Sequence, residues 1–106
     1  MEPEIEALLE GLASSSDLLP FRKLIEPLKL HDREHNSDLV RTLEVFFAAN
    51  ANASRAADLL FLHRNSLLYR LERIRVLIGL DLRNHRNRFA LQLGLLAVSK
   101  EGSKER

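Results

Sequence analysis

Arginine, asparagine, serine and tyrosine crowd one short stretch of this sequence, which from Asn52 to Ile74 reads NASRAADLLFLHRNSLLYRLERI. On a helix advancing about 100° per residue, Ser66, Tyr69, Arg70 and Arg73 gather on a stripe roughly a quarter turn from the line of Leu67, Leu71 and Ile74. Arg64 and Asn65 stand at the start of that helix. A guanidinium is a planar fork of donors that fits a phosphate or the edge of guanine, and a carboxamide fits the edge of adenine. The pattern points to recognition of a polyanion through its base edges and phosphates. Three of these positions have a plainer use: His63 and Asn65 suit capping of the helix, and the Tyr69 ring suits packing with its hydroxyl at the surface. Glu72 and Arg75 fall on the solvated side, where Glu72 can pair with a nearby arginine.

The charge distribution agrees with a polyanionic partner. The net charge of +1 hides a split: residues 1–54 carry ten acids and five bases, whereas residues 55–88 carry three acids and eight bases, every one of them arginine. Arginines that merely solvate helix faces would give the same tally.

Other chemistries find little support. The string HDREH at His31–His35 is a near miss for a zinc-protease motif, because the general base must be a glutamate directly after the first histidine, and that position is Asp32. It reads instead as a polar junction between helices. No nucleophile elbow or phosphate-cradling glycine loop is present, so no enzyme activity, metal or cofactor is expected. Cysteine is absent, which excludes disulfides and thiolate metal sites and fits an intracellular protein. No apolar run approaches about 18 residues, and the acidic start lacks the basic region of a signal peptide, so a membrane partner is not expected either.

The elements that must carry the polar stripe read as all-α. With 106 residues the chain supports one compact domain. Apolar spacing predicts helices at about 3–12, 20–31, 37–49, 53–60, 63–78 and 85–99. Pro3, Pro20, Pro27 and Gly79 punctuate them, and Ser14-Ser15-Ser16 marks a break. Asn36 or Ser37 is expected to cap the third helix, Asn52 the fourth and Asn84 the last, with Asn50-Ala51-Asn52 as a turn. Residues 1–19 then form an N-terminal helix and linker, 20–100 the functional domain and 101–106 a frayed tail. Ala56 and Ala57 are small where two helices must come close.

The motif AADLLFLHRNSLLYRLERI, followed by IGLDL and a capped helix containing RFALQLGLL, resembles the C-terminal helix-turn-helix domain of PucR/CdaR-type bacterial transcriptional regulators. The similarity extends upstream through LIEPLKLHDREHNSDLVRTLEVFF and covers about residues 20–99; NASRAADLLFLHRNSLLYRL is also similar to the DNA-binding part of the nucleoid protein Fis. The resemblance implies an all-α bundle containing a Fis-like helix-turn-helix that binds double-stranded DNA in the bacterial cytoplasm, at the nucleoid. It places His63, Arg64, Asn65, Ser66, Tyr69 and Arg70 on the DNA-facing part of the recognition helix, with Ser54 and Arg55 holding a phosphate at the start of the preceding helix; Arg73, on the polar stripe, is expected to meet phosphate as well. Two departures stand out: Ser66 replaces the usual threonine, and Phe61 fills a turn position that is glycine in many helix-turn-helix proteins, which predicts a looser turn. The sensor domain that such regulators carry is expected to be absent from this chain.

The last helix, with Phe89, Leu91, Leu93, Leu95, Leu96 and Val98, is apolar around much of its circumference and must be covered on several sides. The domain core and a second protomer are the two candidates, with Phe46, Phe47 and the N-terminal apolar residues as further interface positions. A homodimer would present two recognition helices about 34–36 Å apart and select a roughly palindromic site. Two rival functions remain at this point, a protein-interaction module and a Fis-like architectural binder with weak sequence preference.

Overall fold

The computed structural model describes residues 4–104, with side chains described for residues 4–99. Among them the chain is all-α, in the order α1 (Ile5–Ala13), a 3-10 turn (Ser16–Leu18), α2 (Leu19–His35), α3 (Leu39–Ala48), α4 (Ala53–Leu59), α5 (Arg64–Ile78) and α6 (His85–Lys104). Pro3 and residues 105–106 of the expected frayed tail lie outside the described residues. The backbone of α6 continues to Lys104, past the expected end at Ser99.

α2 is longer than the apolar spacing suggests and reaches His35 rather than His31. Pro20 occupies its first turn, where a missing N–H is harmless. Pro27 lies inside the helix without ending it; the donor it lacks would have served the carbonyl of Lys23, an exposed residue. Asn36 then stops the helix in a left-handed conformation, φ 50°.

Neither Asn36 nor Ser37 caps α3. The cap comes from Asp32, one turn back in α2, whose carboxylate accepts from the Leu39 and Val40 N–H groups at 2.8 and 3.0 Å and from the Ser37 hydroxyl at 2.6 Å. Besides accepting these bonds, a carboxylate answers the positive end of the helix dipole, which a neutral amide or hydroxyl does not. The junction is polar, as expected, with Asp32 holding it.

Two helix ends are closed by the same device. After α3, Asn50 and Ala51 take φ 57° and 61°, and their N–H groups reach back to Phe47 and Phe46 at 2.9 Å each. After α4, Phe61 takes φ 57°, while its own N–H bonds Asp58 at 3.2 Å and that of Leu62 bonds Ala57 at 2.9 Å. This paired arrangement is the Schellman closure, normally built around glycine. The turn at Phe61 is therefore tight, contrary to the expectation of a looser one, because two main-chain bonds fix it whatever the side chain.

The core joins Ile25 and Leu28 of α2, Leu39, Leu43 and Phe46 of α3, Ala56 and Ala57 of α4, Leu67 and Ile74 of α5, and Leu91 and Leu95 of α6. Phe46 belongs to this core at 7% exposure, so it is not an interface residue as expected, while Phe47 packs partly buried at its edge. The most extensive helix contact is between α2 and α6. It depends on Gly94, where a Cβ would collide with the carbonyl of Phe21 and press on Ile25. α1 packs on α6 yet buries none of its own residues.

Candidate nucleic-acid interface

α5 carries the candidate interface because it is anchored along one line only. Leu67 and Ile74 are 0% exposed, and Leu71 packs half-buried beside them. That anchoring turns Ser66, Tyr69 and Arg73 outward, with Tyr69 68% exposed. Asn52 caps the preceding α4 by accepting from the Arg55 N–H at 3.0 Å, and Gly79 ends α5 at φ 82°. Both elements of the pair are thus held at defined starts and stops.

The expected site residues fall into two neighbouring groups. Asn65, Ser66, Tyr69, Arg70 and Arg73 share one open cleft, whose opposite wall is the α2–α3 junction with His31, His35, Asn36, Ser37 and Asp38. At the start of the pair, the Arg64 guanidinium donates from Nε to the Ser54 hydroxyl at 3.1 Å, tying the beginning of α5 to that of α4. Arg55 and His63 are exposed at the starts of the same two helices. His63 occupies the N-cap position of α5, but its side chain makes no capping bond, so the plainer reading of that residue loses its support.

Arg70 behaves differently from the rest of the stripe. At about 100° per residue it lies only some 60° from the Leu67 line, nearer the core than Ser66, Tyr69 or Arg73. It is accordingly half-buried, and its Nη1 donates at 3.2 Å to the hydroxyl of Thr42. Thr42 is 0% exposed and passes its own proton to the Asp38 carbonyl at 2.7 Å. A guanidinium has five N–H donors, so this one bond orients Arg70 and leaves the others for a ligand. Thr42 was not legible as a site residue, since a threonine on the inner face of α3 reads as a core position.

The other flank of α5 is satisfied internally. Arg75 holds Glu72 through two bonds of 2.6 and 3.0 Å, as the sequence suggests, and that hydrogen bond draws the Glu72 carboxyl below its usual range. Arg83 does the same for Asp81. On the third helix Glu44 moves the other way, raised first by burial and then by the neighbouring Asp38. The arginines beyond Arg73 are thus partly engaged with acids, whereas the stripe faces a cleft.

Residues 39–97 match the family described as the PucR C-terminal helix-turn-helix domain, more than half of the chain. The chain belongs to this family. Among curated relatives, it is 33% identical over 94 residues to the proline-responsive transcriptional activator PutR of Bacillus subtilis, covering 88% of this chain and 23% of that protein. It is 42% identical over 74 residues to the carbohydrate diacid regulator of Escherichia coli, covering 69% of this chain and 19% of that protein. The DNA-binding transcriptional activator AdeR of Bacillus subtilis is 39% identical over 71 residues, 67% of this chain and 17% of its own length. The chain therefore spans a quarter or less of these relatives. No solved structure matches it. No described helix of this PucR-family domain is long and apolar enough to cross a membrane.

Proposed function

We propose that this PucR-family domain binds double-stranded DNA sequence-specifically as the output domain of a PucR/CdaR-type transcriptional regulator and performs no catalysis. The observation that carries this reading is the division of α5: Leu67 and Ile74 are sealed in the core while Ser66, Tyr69 and Arg73 stand outside on one stripe. A helix so divided lays its polar face into a major groove without disturbing its own packing. Arg64, Asn65 and Arg70 read base edges; Ser54, Arg55 and Arg73 meet phosphates; His63, Ser66 and Tyr69 complete the DNA-facing surface. The anchored Arg70 contributes because its fork is already oriented by Thr42.

The domain acts as a homodimer on a roughly palindromic site on the nucleoid, within the bacterial cytoplasm. Support for pairing comes from α1, where Ile5, Leu8, Leu9 and Leu12 are 40–63% exposed. A protomer measuring 41 × 34 × 29 Å is also compatible with two recognition helices about 34–36 Å apart. Selection of bound duplexes from a random pool, followed by titration of the selected and a scrambled duplex across a salt series, tests the reading. The expected results are a two-half consensus, a clear preference for it, and affinity that falls steeply with salt on both duplexes. Binding without any consensus would point instead to an architectural role, and no binding at low salt would end the proposal.

A further inference from the structure

Two arginines beyond the stripe are tied to carboxylates, Arg75 to Glu72 at 2.6 Å and Arg83 to Asp81 at 3.1 Å. Arg70 is held by a neutral group instead, the Thr42 hydroxyl at 3.2 Å. A carboxylate offsets the charge of the arginine it holds, whereas a hydroxyl fixes the side chain and leaves that charge for a polyanion. Arg70 keeps it inside the cleft that Asn65, Ser66, Tyr69 and Arg73 also line.

The direction of that bond is fixed from behind. Thr42 has one hydroxyl proton and gives it to the Asp38 carbonyl at 2.7 Å, so towards Arg70 its oxygen can only accept. The Asp38 carbonyl is held in turn, because it also accepts the Thr42 N–H at 3.0 Å and because Asp32 pins the next two N–H groups, those of Leu39 and Val40. Thr42 is 0% exposed, so it cannot itself touch a duplex. Its hydroxyl nevertheless joins the first turn of α3 to the recognition helix.

We infer that Thr42 is a positioning residue for base preference, which acts from inside the core by presenting Arg70 to one guanine of the bound site. The inference rests on the DNA-binding reading and deepens it, naming the base and a determinant outside the helix-turn-helix pair. One N–H of Arg70 Nη1 goes to Thr42, and the rest of the fork stays available. Guanine accepts two parallel N–H groups on O6 and N7, a pair that Nη2 supplies together with Nε or with the second Nη1 proton. A freely turning arginine loses rotamer freedom on binding and can swing to a phosphate instead. One oriented in advance loses less and meets a single pair of acceptors. The Thr42 hydroxyl therefore raises the preference for guanine at one base pair more than it raises affinity for DNA in general.

The test uses the full chain, the duplex selected from the random pool and the single-base-pair variants of that duplex. Titrations of wild type and Arg70→Ala identify the pair that Arg70 reads, expected to be a G·C pair whose replacement weakens wild type about five- to 100-fold and the variant far less. Thr42→Val, close in shape but without the hydroxyl, is expected to lose about three- to tenfold of that preference at that pair alone, while Thr42→Ser keeps it. In the Arg70→Ala background Thr42→Val is expected to add nothing, as for two residues acting through one contact. If the valine variant unfolds, Thr42→Ala, which removes the hydroxyl in a stronger helix former, must give the same local loss. A folded hydroxyl-free variant with unchanged preference, or with an equal loss on every duplex, would overturn the inference and leave DNA binding standing. So would a serine variant that loses the preference, or an Arg70→Ala protein whose lost preference is absent or lies at a pair other than G·C. Failure of wild type to bind, or to select any consensus, would remove the sequence-specific reading and this inference together.

Discussion

The α2–α6 pair and the α4–α5 pair use small residues for different ends. In α6, Gly94 lets the helix settle against the Phe21 carbonyl, so that two long helices join along their length. In α4, Ala56 and Ala57 are 0% and 2% exposed and bring a seven-residue helix close enough to brace α5. The first pair is a support that buries what it can. The second is a mount that keeps most of α5 in solvent. Stability and recognition are therefore carried by different contacts, and substitutions should separate them.

Ile25→Ala attacks the support where it is deepest, at a residue 0% exposed beneath Gly94. Urea unfolding should show a loss of about 2–5 kcal/mol. Gly94→Ala forces the two helices apart and should lose about 1–3 kcal/mol in the same assay. In neither case should the protein that remains folded change its salt dependence of DNA binding. Substitutions on the mount should do the reverse. Arg64→Ala should relax base preference by about 1–3 kcal/mol at one position, whereas Arg73→Ala should weaken all duplexes alike and reduce the salt slope by about 1. Unfolding midpoints should hold for Arg73→Ala; a large drop would mean that the stripe is structural and that the division between the pairs is false. The smallest effect belongs to the corner between them. Phe61 is 96% exposed at φ 57°, so Phe61→Gly removes strain and little packing. It should raise stability by up to about 1 kcal/mol, read as a higher thermal midpoint.

Much of this arrangement was legible from spacing alone. The interval from Leu67 to Ile74 placed the core line of α5, and the stripe beside it followed geometrically. Asn52, Asn84 and Gly79 marked helix limits because their side chains, or the lack of one, act locally. What escaped depended on partners distant in sequence. Asp32 caps a helix that starts seven residues later, and a local reading assigned that task to its neighbours. The Thr42 hydroxyl meets Arg70 across 28 positions, which no periodicity encodes. The apolar spacing ended α2 near His31, whereas the helix runs on to His35, and Pro27 within it costs little because the bond it deletes falls beside an exposed residue. Gly94 read as one of a few scattered glycines until α2 was seen against it.

The corner at Phe61 has a further consequence for how such domains are recognised. Its geometry is secured by the Leu62–Ala57 and Phe61–Asp58 main-chain bonds, while the ring projects into solvent. Residue identity at that point can consequently depart from glycine, at a cost of up to about 1 kcal/mol, without altering the path of the chain. A search that insists on glycine there will pass over proteins of this kind, and one that weighs the small pair before the corner and the aliphatic line after it will find them.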